Sequence, residues 1–170
     1  MKKLKYSAYL FLAAALLLAS CGGGGEEAGG NGGTDGVSGT TDPDELAQEI
    51  AHRYLECMEE LQAMVADRPE PERLREEMAE LKEEYIEIFV EIGHRVATHD
   101  PETVDEIGRA VMSELYGHDI QWLTEASNHY ITLDNEVANM LAEFNIITQY
   151  SFFELLREQS PEEAERLDLI

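Results

Sequence analysis

Two short segments of the sequence place a glutamate three residues before a histidine: Glu49-Ile50-Ala51-His52 and Glu91-Ile92-Gly93-His94. On a helix, residues three apart are neighbours on the surface, so a carboxylate and an imidazole at this spacing can bind one metal ion together. Two such pairs on adjacent helices could hold two ions. The candidate metal ligands of this sequence are therefore Glu49, His52, Glu91 and His94.

The helices that must carry these residues argue against a shared site. Carboxylate-bridged di-iron bundles use two Glu-x-x-His pairs together with two further inward glutamates. At 100° per residue, His52 points about 160° away from the apolar Ile50, and His94 bears the same relation to Ile92. Counting residues from the predicted turn between the helices also places the two histidines roughly 12 Å apart in depth. We therefore expect surface histidines, no bound metal, no cofactor and no catalytic residue.

Other residues with chemical potential favour a structural role. Cys57 falls among apolar residues at helical spacing, which predicts a buried and unreactive thiol. Aromatic residues at Trp122, Tyr130 and 150–153 could line a pocket, but their spacing is more typical of core. A set of polar residues in the same region would mark a buried polar seam if they faced inward: Asn128, Asn139, Asn145, Thr148 and Gln149.

The composition is strongly acidic, with 36 Asp and Glu residues against 12 Lys and Arg and a formal net charge of −24. Such a chain repels nucleic acid phosphate and anionic lipid headgroups, so we expect no nucleic acid partner and no domain lying flat on a bilayer. Two interpretations of the acid stay open. The carboxylates either lie on solvated helix faces, as in proteins adapted to salt, or attract a cation or a basic partner.

The amino-terminal segment has the pattern of a signal peptide. Its first six residues include three lysines, and residues 8–18 are apolar apart from one tyrosine, fewer than the roughly 20 that a membrane-spanning helix needs. The segment Leu18-Ala19-Ser20-Cys21 resembles the lipobox of bacterial lipoproteins. That resemblance implies cleavage before Cys21 and lipid on its sulfur, which would attach the chain to a membrane. The alternative is an ordinary secretory signal, or a short hydrophobic anchor, with a chance cysteine.

The resemblance also implies a location in the cell envelope. In lipoproteins of bacteria with two membranes, an aspartate directly after the lipidated cysteine commonly retains the protein in the inner membrane. Gly22 stands at that position here, which favours the outer membrane and leaves the face of the membrane open.

Glycine dominates the residues after Cys21, and they contain almost nothing that could be buried. A linker of this length and composition has a root-mean-square span of ~25 Å. The predicted organisation is therefore a signal peptide over residues 1–20, a lipidated cysteine and a disordered tether over 21–41, and a helical domain over 42–170.

Helix starts recur in the remainder of the chain. Asp42-Pro43, Asp100-Pro101 and Ser160-Pro161 each place a capping side chain before a proline with acidic residues following, and Ser160 also begins a Ser-x-x-Glu capping box. Apolar residues at three- and four-residue spacing then predict an all-α compact bundle of about four main helices and a short terminal one. The predicted helices cover 43–66, 72–98, 101–116, 119–158 with a break near 132–134, and 160–167.

Asp134 or Thr132 could cap a new start at the break, and Leu133 belongs to the apolar stripe of this fourth helix. The stripe of the first helix runs from Leu46 to Val65 and that of the second from Leu74 to Val96. A second apolar flank on the second helix, at Ile86, Val90 and Gly93, predicts that two neighbours contact it there.

Function is predicted only at the level of class. The lipobox, the tether and the absence of a catalytic motif favour a lipid-anchored envelope protein with a non-enzymatic helical interaction module, whose partner would be another envelope protein. The alternative is a bundle that binds a metal or a small molecule, either as an enzyme or as a binding protein; buried polar side chains converging in an enclosed cavity would support it.

Overall fold

A computed structural model describes residues 39–169, and the regular structure in this range is entirely helical. The all-α bundle predicted from the sequence is confirmed. The predicted signal peptide, Cys21 and most of the predicted tether lie outside the described residues. In chain order the elements are α1 Pro43–Val65, α2 Pro71–Val96, α3 Pro101–Leu115, α4 Gln121–Tyr130, α5 Asn135–Phe144, a 3₁₀ segment Ile147–Ser151, α6 Phe153–Gln159 and α7 Pro161–Arg166.

Aspartate caps begin three of the helices. The Asp42 carboxylate accepts hydrogen bonds from the amides of Asp44 and Glu45 at 3.1 and 3.3 Å, and Asp100 and Asp134 cap α3 and α5 in the same way. Each cap satisfies amides that have no partner inside the helix. The sequence predicts the caps at Asp42 and Asp100. For the helix that begins after the break near 132–134 it offers Asp134 or Thr132, and the structure has Asp134.

The capping box predicted at Ser160 does not form, because its side chain makes no hydrogen bond to the start of α7. Ser160 follows α6 directly, and its amide still donates to the Leu156 carbonyl of that helix. The intended partner, Glu163, instead accepts hydrogen bonds from Tyr150 and Arg166. The residue therefore joins two short helices rather than capping one.

The core is built on a hairpin of α1 and α2. Glu49 pairs with Arg95 near one end of the hairpin, and Tyr85 donates a hydrogen bond to Glu60 further along, so the two helices are antiparallel. The buried faces follow the predicted stripes: Leu46, Ile50, Tyr54, Cys57, Met58, Leu61 and Val65 on α1, and Leu74, Met78, Leu81, Tyr85, Phe89, Ile92 and Val96 on α2. α3 packs against α1 through Ile107, Gly108 and Val111.

The fourth predicted helix is interrupted twice. The break near 132–134 was expected, whereas the break after Phe144, which leads into the 3₁₀ segment, was not. Leu133 was assigned to the buried stripe but is 61 % exposed, because the chain leaves the helix in a turn there. α5 and the 3₁₀ segment then run beside α2 in the same direction, with contacts at seven-residue intervals of α2: Arg75 with Glu136, Lys82 with Glu143, and Phe89 with Ser151.

Gly93 allows the 3₁₀ segment and the start of α6 to approach α2 closely. A Cβ atom at this position would lie 2.5 Å from a ring carbon of Phe153 and 3.0 Å from the Tyr150 carbonyl oxygen. Ile86 and Gly93 are buried and Val90 is half-buried, so the second apolar flank predicted on α2 does contact a neighbour.

Candidate functional site

The two histidines of the Glu-x-x-His segments lie on the surface, on the sides that the helical periodicity predicted. The His52 side chain is 70 % exposed, with Nδ1 3.5 Å from the carboxylate of Glu56. His94 is exposed, and its ring meets that of Phe153 edge-on at a centroid distance of 5.1 Å. The structure does not bring the two histidines together on an inner face.

The glutamates of the two segments do not complete a metal site either. Both carboxylate oxygens of Glu49 accept hydrogen bonds from the Arg95 guanidinium at 2.7 Å, while Glu91 is exposed. Within residues 39–169, no group of three or more His, Cys, Asp or Glu side chains is arranged to hold a metal ion. Glu49 therefore serves as the partner of an arginine.

Arg95 forms a junction that the sequence reasoning missed. Besides binding Glu49, its Nη1 donates to the Thr40 carbonyl at 3.2 Å, and its aliphatic stem packs against Gly39, where a Cβ atom would lie only 2.6 Å from Cδ. The hydrogen bond to Glu49 raises the pKa of Arg95. The junction holds the last residues before α1 against the end of α2. It joins residues that are far apart in the sequence, so no local sequence pattern predicts it.

Cys57 lies in the core with no exposed surface, as predicted, and is a free thiol. Burial, reinforced by the negative charges of Glu60 and Glu84, raises the pKa of this thiol to about 12. The thiolate is the nucleophile and metal ligand, so this environment suppresses both kinds of chemistry.

The aromatic and polar residues of the later helices form core rather than a pocket. Tyr130 is buried and donates a hydrogen bond to the Pro69 carbonyl at 2.8 Å. Gln149 and Ser151 are the buried polar residues of the described part of the chain, and the Ser151 hydroxyl donates to the Phe89 carbonyl at 3.0 Å. The predicted polar seam is therefore short: Asn128 and Asn139 are exposed, and Asn145 meets the Tyr54 hydroxyl at 3.4 Å.

Exposed aliphatic side chains mark the turn between α4 and α5. Ile131 and Leu133 are 55 % and 61 % exposed, and Asp134 follows them. A shallow open depression lies beside the turn and is lined by Glu72, Arg75, Glu76, Ala79 and Glu136. These two features together form the candidate interaction surface of the domain.

None of the helices in residues 39–169 has the length and hydropathy needed to cross a membrane. No protein-family model matches this chain, and no match was found among curated proteins or among solved structures.

Proposed function

We propose that this chain is a lipid-anchored protein of the bacterial cell envelope, and that its helical domain binds another envelope protein. The observation that carries the proposal is the segment Leu18-Ala19-Ser20-Cys21, preceded by a basic and then an apolar stretch. Two acyl chains on one cysteine give stable membrane attachment, at roughly 0.8 kcal/mol for each buried methylene. In this proposal the cysteine anchors the chain and the bundle makes the contact.

The residues of the bundle support an interaction role over catalysis. Its one described thiol is buried with a raised pKa, its Glu-x-x-His histidines point outward, and Glu49 is held by Arg95. What remains on the described surface is strong negative charge and four exposed large apolar side chains, Tyr116, Ile131, Leu133 and Ile146. Such features recognise a partner through complementary charge and shape rather than through bond-making chemistry.

Metabolic labelling with an alkyne-bearing palmitate tests the anchor. The full chain, produced in a bacterium with lipoprotein-processing enzymes, should incorporate the label, sediment with membranes, and accumulate as a longer precursor when the lipoprotein signal peptidase is inhibited. Cys21→Ser should lose the label, while Cys57→Ser, the matched control at the other cysteine, should keep it. Equal labelling of Cys21→Ser and the unsubstituted chain would overturn the proposal.

A further inference from the structure

The turn over residues 131–134, which we call the apical turn, presents two large aliphatic side chains to solvent. Ile131 and Leu133 are 55 % and 61 % exposed. Leaving these side chains partly in water forgoes part of the free energy that their full burial would release. Because the fold leaves these side chains exposed, a partner that covers them gains binding free energy from their burial.

Hydrogen bonds on both sides hold the apical turn in place. The Tyr130 hydroxyl donates to the Pro69 carbonyl at 2.8 Å, and the Tyr130 carbonyl accepts from the amides of Leu133 and Asp134 at 2.9 and 2.7 Å. Asp134 then caps α5 through the amides of Glu136 and Val137. The exposed side chains therefore sit on a braced turn, which lowers the entropy cost of binding.

The acidic depression adjoins the apical turn. Arg75 contacts Asp134 at 3.5 Å and Glu136 at 2.7 Å, so its charge is already matched by two carboxylates of the turn and of α5. Glu72 and Glu76 line the same depression and add further negative charge. The surface thus places two exposed aliphatic side chains beside an acidic depression, and protein interfaces combine apolar residues with a polar rim.

The charge of this surface decides between occupants. A second copy of the chain would bring a formal charge of −24 against the same charge, and anionic lipid headgroups are repelled for the same reason. A protein surface with Lys or Arg around an apolar pocket is complementary to both the exposed aliphatic side chains and the acidic depression. It would cover Ile131 and Leu133 and pair with Glu72 and Glu76.

We infer that the apical turn and the adjoining acidic depression form the docking surface for a basic envelope protein. The inference rests on the proposed function, which supplies the compartment of the partner. The chemistry of the partner is inferred from the surface itself. The turn contacts Pro69, beyond the end of α1, whereas Thr40 precedes its start; the 23 residues of α1 separate the two points by about 35 Å. Docking would therefore leave the Arg95 junction untouched.

Site-specific photo-cross-linking in the bacterium that makes the protein tests this surface. A benzophenone amino acid is placed at position 133 of the full chain, or at position 116 as the matched control, because Tyr116 is 79 % exposed but lies before α4. The expected result is a discrete protein adduct at position 133, with little at position 116. The partner peptide in that adduct should be rich in Lys and Arg.

Charge reversal supplies the second arm of the experiment. Glu72→Lys combined with Glu76→Lys should lower the adduct at position 133 by about tenfold, since like charges then face each other. Glu158→Lys combined with Glu162→Lys makes the same change of charge on exposed residues of α6 and α7 and should leave the adduct unchanged. Circular dichroism of both double variants checks that each is folded.

Several results would overturn the inference: no adduct at position 133, equal adducts at both positions, an adduct to lipid or to a second copy, or an acidic partner peptide. Palmitate labelling of the same cultures separates the two proposals. A labelled chain with no adduct contradicts the docking surface alone. An unlabelled chain that still forms the adduct contradicts the lipid anchor alone.

Discussion

At the scale of single residues, the carboxylates of this protein act as helix caps and as partners of arginine. The pair of Glu49 and Arg95 is the most enclosed of the ion pairs in the described residues, with side chains only 23 % and 14 % exposed. Its geometry is bidentate, at 2.7 Å for both bonds, which favours a firm contact over a mobile surface pair.

Arg95→Met should lower the free energy of unfolding by about 1–3 kcal/mol, because it leaves Glu49 partly buried without a donor and frees Thr40. Urea unfolding followed by circular dichroism measures the change. Arg109→Met is the matched control: its contact with Glu106 is 3.9 Å long and exposed, so the loss should stay within about 0.5 kcal/mol. Equal losses in the two variants would contradict the junction, and Glu49→Gln in a double-mutant cycle isolates the pair.

Asp100 gives a prediction for pH. Hydrogen bonds from the backbone and side chain of Thr103, among others, lower the pKa of Asp100 in the folded state. A carboxyl with a lowered folded pKa contributes stability that is present above its unfolded pKa and is lost as the pH falls through the folded pKa. Asp100→Asn should therefore be less stable than the unsubstituted protein at pH 7, with the difference shrinking toward pH 3. A difference in unfolding midpoint that does not change with pH would refute this assignment.

At the scale of elements, the close approach of the 3₁₀ segment and α6 to α2 sets how the second half of the chain packs. The contact depends on Gly93, since a side chain there would meet both the Phe153 ring and the Tyr150 carbonyl. The Ser151 hydroxyl adds a buried hydrogen bond to the Phe89 carbonyl one turn earlier. These contacts explain how a helix-breaking segment is kept in the core.

Gly93→Ala should destabilise the fold by about 1–3 kcal/mol through overpacking, even though alanine ordinarily stabilises a helix interior relative to glycine. Guanidinium unfolding measures the change. Adding Phe153→Leu to the variant removes the ring that the new methyl group meets and should recover part of the loss. A net gain of stability in Gly93→Ala alone would show that the approach is looser than described.

The sequence predicted local features of these elements well and long-range ones poorly. The caps at Asp42 and Asp100 and the buried stripes of α1 and α2 depend on neighbouring residues, and they were predicted correctly. The contacts of Arg95 with Glu49 and Thr40 join residues that are distant in the sequence, and they were not predicted. Leu133 was placed in the core because a continuous helix was extended through the turn that exposes it.

The features of the candidate site likewise divide into local ones, which the sequence predicts, and long-range ones, which it does not. The segment Leu18-Ala19-Ser20-Cys21, which resembles a lipobox, is contiguous in the sequence and lies outside the described residues. The acidic depression joins Glu72 and Glu76 of α2 to Glu136 of α5, which no local pattern connects. The Arg95 junction likewise links α2 to Thr40 across more than fifty residues. Only the folded arrangement shows these surfaces.

At the scale of the whole molecule, the formal net charge of −24 is the dominant property. Removal of a signal peptide before Cys21 would take away three lysines and make the chain more negative still. Such charge keeps copies apart and destabilises the compact state by self-repulsion, while it draws basic partners toward the protein. Both effects weaken as salt screens them.

Raising the salt concentration from low to physiological and beyond should therefore increase the melting temperature by about 2–5 °C, the equivalent of roughly 1 kcal/mol. Thermal unfolding in matched NaCl and KCl series tests this, and the two salts should agree because screening does not depend on the cation. Glu158→Lys combined with Glu162→Lys should flatten the dependence. A melting temperature that falls with salt would show that attractive ion pairs outweigh the repulsion.

Mass spectrometry of the protein extracted from membranes with detergent tests the proposed lipid anchor on Cys21. We expect the chain to begin at Cys21, this cysteine to carry a diacylglyceryl thioether, and Cys57 to remain a free thiol. A chain that keeps its first twenty residues, begins elsewhere, or has an unmodified Cys21 would contradict it.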